Sequence, residues 1–428
     1  MKMKTFVAVA LTIAMNSACS SAPKKQSLQV TQIQQPQTSS YSPNPADVKR
    51  LQETNQCLGC SLAGADLRSA NLKKANLQGA DLRAANLSGA NLSEVDLTGA
   101  DLRQANLSKT NLLGAKLTAA QLNWSGDSTN SRVNLRQADL SKANLITAYL
   151  RGVDFSEANL SGAYFHAADL NQAILIKANL SKADLAGVKL SNADLTKVNL
   201  QGANLLGANL SETNLSNANL QGANLQAVSL TRATLNQANL SKANLISAKL
   251  NGANLSGANL SGANLLTAIL ANADLSGANM QKAYLHSAEL SKANLSNVSL
   301  IQSDLSAALL NQANLSNANL SGSNLKRSSL TGANLSNVNL QGANLQGADL
   351  TETNLTQADM TKTNLAQAYL TKTDLGSANL QGATLNGAKL SGANLKNANM
   401  KNVVGLNQPL IISDEQQSES PTSHNQHN

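Results

Sequence analysis

From Leu62 to Met400 a large apolar residue returns at every fifth position, and a small one stands two residues before it, as in Ala65-Asp66-Leu67 and Ala258-Asn259-Leu260. The centres run as 13 units from Leu62 to Leu122 and as 54 from Leu135 to Met400, 67 in all. Phe155, Phe165, Met280, Met360 and Met400 replace the usual Leu, while Val95, Thr110, Val153, Thr213, Val298 and Ser303 replace the usual Ala. A period of five fits neither the 3.6-residue helix nor strict strand alternation. On an α-helix it would carry the apolar residue around the whole axis and bury nothing. On an extended segment residues two apart share a face, so the Ala and Leu positions turn inward together. The spacing therefore predicts a short extended piece followed by a corner, where Asn, Asp, Gly and Ser suit tight turns. Such units stack into a solenoid whose stability is a sum of contacts between neighbouring coils.

Composition agrees with this reading. Aromatic residues are only 2% of the chain, too few for an ordinary globular core but enough for a thin column of Leu and Ala that buries a large total area over many coils. The formal net charge is +8. Between Ser61 and Val404 there are 27 Lys and Arg against 20 Asp and Glu, a mild excess spread over a long surface.

The repeated A(N/D)Lxx pattern resembles the pentapeptide-repeat family over about four fifths of the chain. The resemblance implies an all-β fold, a right-handed quadrilateral β-helix with four units per coil. Residues 20 apart would then stack, and Asn199, Asn219, Asn239, Asn259 and Asn279 would form a column of amides able to bond between layers. At four units per coil the repeats make roughly 17 coils, about 80 Å at the spacing of neighbouring strands. Some members of that family resemble duplex DNA in shape and charge and bind DNA gyrase. That mimicry requires a strongly acidic rod, and this one is net basic.

Residues 1–18 read as a signal peptide, with a basic start at Lys2 and Lys4 and an apolar run from Phe6 to Met15 too short to span a bilayer. Ser17-Ala18-Cys19 resembles the lipobox of bacterial lipoproteins, which implies lipid attachment at Cys19; Asn16 departs from the aliphatic residue preferred there. Simple secretion to a periplasm or lumen and an uncleaved anchor are the alternatives. Residues 19–44 hold the lipidation Cys and a Gln-, Ser-, Thr- and Pro-rich tether.

An open solenoid end exposes edge strands and core, so a cap is expected over 45–60. Asn44-Pro45-Ala46-Asp47 reads as a helix start, and Val48 and Leu51 give the helix an apolar face. Cys57 and Cys60 sit where this cap meets the first coil. A short disulfide, inert buried thiols, and a redox or metal role are the readings, the last lacking both further ligands and a thioredoxin-like context. Repeat blocks follow at 61–122 and 135–405. They are separated by a loop at 123–134 that carries the only tryptophan, Trp124, with Asp127 beside it. That loop is either a tolerated bulge or a recognition finger. Residues 406–428 are expected to form a C-terminal cap, with an apolar run to Ile412, and a polar tail.

Lys142, Lys182, Lys242, Lys282 and Lys362 are separated by multiples of 20 and alternate with glycines such as Gly162, Gly202, Gly222 and Gly262. They make either a basic stripe for an anionic surface or a simple alternation at one outer position. His166 and His286 point outward, and His424 and His427 lie in the tail; none has partners at metal-ligand spacing. The glycines follow the five-residue beat and cradle no phosphate. The expectation is a non-catalytic, cofactor-free, lipid-anchored rod facing the periplasm or cell exterior. It would present repetitive faces to a protein, glycan or membrane partner, with gyrase mimicry and nucleic-acid binding less consistent with its charge and its signal peptide.

Overall fold

The computed structural model describes residues 41–123 and 132–406. Its organising contact is a parallel bridge between residues 20 apart, from Gln56 with Asn76 through to Thr384 with Val404. Each five-residue unit contributes one bridging residue, the Asn or Asp position before the central Leu, so four units close one coil of a right-handed quadrilateral β-helix.

One unit explains the rest. Leu180 N donates to Asn199 O one coil ahead at 2.7 Å, and Asn199 N returns a bond to Ala178 O at 2.9 Å. Ala183 N donates to Leu180 O at 3.1 Å and closes the corner. The third residue of that turn, Lys182, has φ 57°, the geometry a type II turn requires. Gly takes this position in many units, and Lys, Gln, Glu, Arg, Asn, Ala, Ser and Thr also occupy left-handed corners. A left-handed L-residue costs about 1–2 kcal/mol, and the central Leu that follows three residues later, buried completely, returns a similar amount.

The core is the predicted column. The central residues from Leu62 to Leu385, with Phe155, Phe165, Met280 and Met360 among them, are buried, with Ala beside them. Hydroxyls at the Ala position donate to the carbonyl of a central Leu, in the preceding unit for Thr110 Oγ1 to Leu107 O at 2.7 Å and Thr213 Oγ1 to Leu210 O at 2.6 Å, and one coil back for Thr353 Oγ1 to Leu330 O at 3.0 Å. Among the described residues no buried side-chain polar atom lacks a partner. The amide column also forms. Asn199 Nδ2 donates to Asn179 Oδ1 at 3.0 Å, Asn219 to Asn199 at 3.1 Å, and Asn239 to Asn219 at 3.3 Å. The same oxygens accept from the backbone two residues on, as Asn199 Oδ1 does from Gln201 N, so each Asn ties its coil to the next and braces its own corner.

Helix α1 spans Pro45–Thr54, with Asn44 as N-cap accepting from Ala46 N at 2.9 Å. Leu51 is its fully buried contact, and the left-handed Asn55 ends it. Two sequence boundaries need correction. The first coil starts at Gln56, inside the expected cap of 45–60, because Cys57 takes a central position and Cys60 the adjacent small one. The repeats resume at Val133, inside the expected loop of 123–134, because Val133 is fully buried and Asn134 already bridges Asn106. That bridge and the three after it, Asn111 with Asp139, Lys116 with Asn144 and Gln121 with Tyr149, span 28 residues where the others span 20. The interruption therefore adds eight residues to one side of one coil and leaves the stacking register intact.

Candidate functional site

The four sides of the coil differ in what they carry. Face 1 contains the bridging residues Asn159, Asn179 and Asn199, face 2 Tyr164, Asp184 and Asn204, face 3 Tyr149, Asp169 and Lys189, and face 4 Asp154, Ile174 and Asp194. Face 1 is nearly all Asn after the loop, whereas faces 2 and 3 hold most outward apolar residues. Tyr149, Tyr164, Leu206, Tyr284, Leu309 and Tyr369 are all exposed, and all lie on faces 2 and 3. The sequence beat did not single these out, because their significance depends on which units share a side.

Lys142, Lys182, Lys242, Lys282 and Lys362 fall in one column at the corner between faces 1 and 2, each with a left-handed backbone. Their aliphatic stems run along the axis toward the next coil. A Cβ placed on Gly162, Gly202, Gly262 or Gly382 would lie 3.6–3.9 Å from the Cγ of the lysine 20 residues before it. Arg232 stands over Gly252 and Arg327 over Gly347 in the same way, so a long side chain followed one coil later by Gly recurs at other corners. The lysine column also lacks counter-charge. Among the described residues none of the five joins an ion pair, whereas Arg232 pairs with Glu212 and Lys372 with Glu352 at the corner between faces 3 and 4.

The N-terminal coils are more densely paired. Arg83 reaches Asp81 at 2.7 Å and Arg103 reaches Asp101 at 2.6 Å. The side-chain hydrogen bond from Arg83 holds the Asp81 carboxyl below its ordinary range, and the same bond raises the guanidinium. Cys57 and Cys60 are joined, with S–S 2.04 Å and Cα–Cα 5.2 Å, and both are buried. Trp124, Asp127, Cys19 and the tail histidines lie outside the described residues. His286 Nδ1 is 2.8 Å from Ser306 Oγ, and among the described residues no cluster of three His, Cys, Asp or Glu could hold a metal. A shallow, wide-open hollow lies where Gly376 leaves a side chain missing, bounded by Thr356, Asp374 and Asn394.

The family model described as pentapeptide repeats matches residues 60–99, 96–125, 131–166, 163–202, 193–232, 229–265, 268–306, 308–347, 339–376 and 368–404. The chain belongs to the pentapeptide-repeat family. This pentapeptide-repeat chain is 33% identical to HetL, a pentapeptide repeat protein involved in heterocyst differentiation regulation from the cyanobacterium Nostoc sp. strain PCC 7120. The match covers 55% of this chain and 90% of HetL, with a TM-score of 0.24. A pentapeptide repeat protein from the Arabidopsis thaliana thylakoid lumen is 31% identical over 27% of this chain and 66% of its own, with a TM-score of 0.16. QnrB1, a plasmid-mediated fluoroquinolone resistance protein, is 17% identical over 50% and 88%, with a TM-score of 0.21. Comparison with curated proteins gives no significant match.

Proposed function

We propose that this pentapeptide-repeat protein is a non-catalytic scaffold of the cell envelope, held through lipid on Cys19 and a polar tether, that offers its outer faces to a partner. The observation that carries this reading is the continuous bridge register from Gln56 to Val404, which places nearly every non-core side chain on an outward, repetitive surface. Catalysis needs a site that excludes water and shifts pKa values. The hollow at Gly376 is too open to do either. The basic n-region at Lys2 and Lys4 and the small residues before Cys19 support export and anchoring. Gyrase mimicry is the weaker reading, since the repeat region has 27 basic against 20 acidic residues, the wrong sign for a DNA mimic.

Fractionating cells that express the full chain or its Cys19→Ser variant, with labelled fatty acid, tests the reading. Label and membrane recovery for the first, and loss of both for the second, are expected. A cytoplasmic, unlabelled chain would overturn it.

A further inference from the structure

Face 2 carries one three-residue arrangement twice. Tyr164-Phe165-His166 and Tyr284-Leu285-His286 are the same three-residue arrangement 120 residues apart, six coils, and they contain both histidines of the repeat region. Both tyrosines are about half exposed, at 50% and 59%, and both histidines are exposed. Midway between them stand Asn224 on the bridging column and Gln226 beside it, in one coil. About that coil one further apolar pair also balances. Leu206, 43% exposed, lies one coil before Gln226 and the half-buried Ile246 one coil after.

We propose that face 2 binds a second copy of this chain, antiparallel, with the two-fold axis passing through the coil of Gly222, Asn224 and Gln226. A two-fold interface is self-complementary, residue i meeting j and j meeting i. An axis lying in the contact plane and perpendicular to the solenoid reverses heights but keeps each column opposite itself. Tyr164 then meets the other copy's Tyr284, and Leu206 meets Ile246. Asp184 meets Asn264 and Asp304 meets Asn144, so each carboxylate faces an amide that can donate to it.

The two edges of the face fit the same axis. At the corner between faces 2 and 3, Ala167, Gly187, Gly207, Ala227, Ser247 and Ser287 are all small and uncharged, which lets a flat partner approach. At the other corner the axis passes through Gly222 of the lysine column. Lys182 meets Gly262, Lys242 meets Gly202, Lys282 meets Gly162, and Lys142 meets Gln302. No lysine within the contact faces another lysine; each faces a glycine corner or an amide. The pairing gives the unpaired lysines a neighbour that does not repel them. From residue 144 to residue 304 the contact spans eight coil steps, about 38 Å at strand spacing. With both corners included, that length can bury the order of 800 Å² per partner that a standard interface needs.

The test uses the full chain in detergent, followed by light scattering and sedimentation over a concentration series. A dimer is expected. Gly222→Lys places two lysines against each other at the axis and should weaken it at least about tenfold. The fold accepts the change, since Lys182 and Lys242 occupy equivalent left-handed corners and a Cβ on Gly222 meets nothing within 4 Å. Gly277→Lys, on the corner after face 4 and equally open, should leave the dimer intact. In a Cys19→Ser background, Asn224→Cys should oxidise to a cross-linked pair. Tyr164→Cys and Tyr284→Cys chains should cross-link when mixed and far less when alone. A monomer at all concentrations, a dimer indifferent to Gly222→Lys, or cross-linking of Tyr164→Cys mainly with itself would each overturn the proposal.

Discussion

At the N-terminal end of the solenoid α1 lies over the first coil, Leu51 is fully buried, and the Cys57 to Cys60 bond joins two inward positions. At the other end Leu390, Leu395 and Met400 are only half-buried although they occupy the same central position, and Val404 is 56% exposed. The unit is the same; its neighbours differ. A central Leu gains its burial from coils on both sides, so an identical residue is worth less where no described coil lies on one side.

The strongest way to break this comparison is to remove the same atoms at both ends. Leu51→Ala should cost about 2–5 kcal/mol and lower amide-exchange protection over residues 56–80, while Leu395→Ala should cost less than about 2 kcal/mol. Equal losses in thermal melts would show that the ends are not different. Reduction of Cys57 and Cys60, or their joint replacement by Ala, should release about 2 kcal/mol from the chain-entropy contribution of a short loop. Exchange should rise in the first coils and stay unchanged near Met400.

The amide column sharpens the contrast. Asn219 donates to Asn199, accepts from Asn239 at 3.3 Å, and accepts from Gln221 N at 3.2 Å. Asn399 donates to Asn379 at 2.9 Å and braces Lys401 N, with no described coil beyond it. Asn219→Ala should cost about 1–2 kcal/mol and Asn399→Ala under about 1 kcal/mol, measured by chemical denaturation. The smallest effect is acid. Asp81 is held low in the folded chain by its hydrogen bond from Arg83, so its contribution is fully present above the ordinary carboxylate pKa and is lost as pH falls through the lower folded value. Stepping from about pH 5 to about pH 2 should lower the protection factors around Asp81, taken relative to the intrinsic exchange rate at each pH. Arg83→Gln should flatten that response; an unchanged acid profile would remove the ion pair from the account.

Much of the fold was legible because the beat is redundant. Leu62 to Leu122 and Leu135 to Met400 were placed correctly as core centres, and Asn44 with Pro45 marked the start of α1. The boundaries were less legible for specific reasons. Cys57 stands at a central position but reads as a cap residue, since the pattern expects Leu there. Val133 reads as loop because its Leu comes after a break in count. The left-handed corners at Lys142 or Gln172 could not be read from propensity, because stacking outweighs the local preference for Gly. The lysine column was visible by spacing, whereas its lack of ion pairs and its relation to Tyr164 and Tyr284 on the adjoining face were not.

The sequence by itself determined the unit: two inward positions, one outward Asn or Asp, and a turn, since side-chain size and extended geometry settle those locally. Only the tertiary structure decided how units meet. Closure after four corners brings residues 20 apart together, carries the register across 28 residues at the loop, and places Tyr164, Gly222 and Tyr284 on and beside one face. A repeat of identical units contains no local signal for how many make a turn of the coil. The angle at each corner and the fit of one coil on the next set that number.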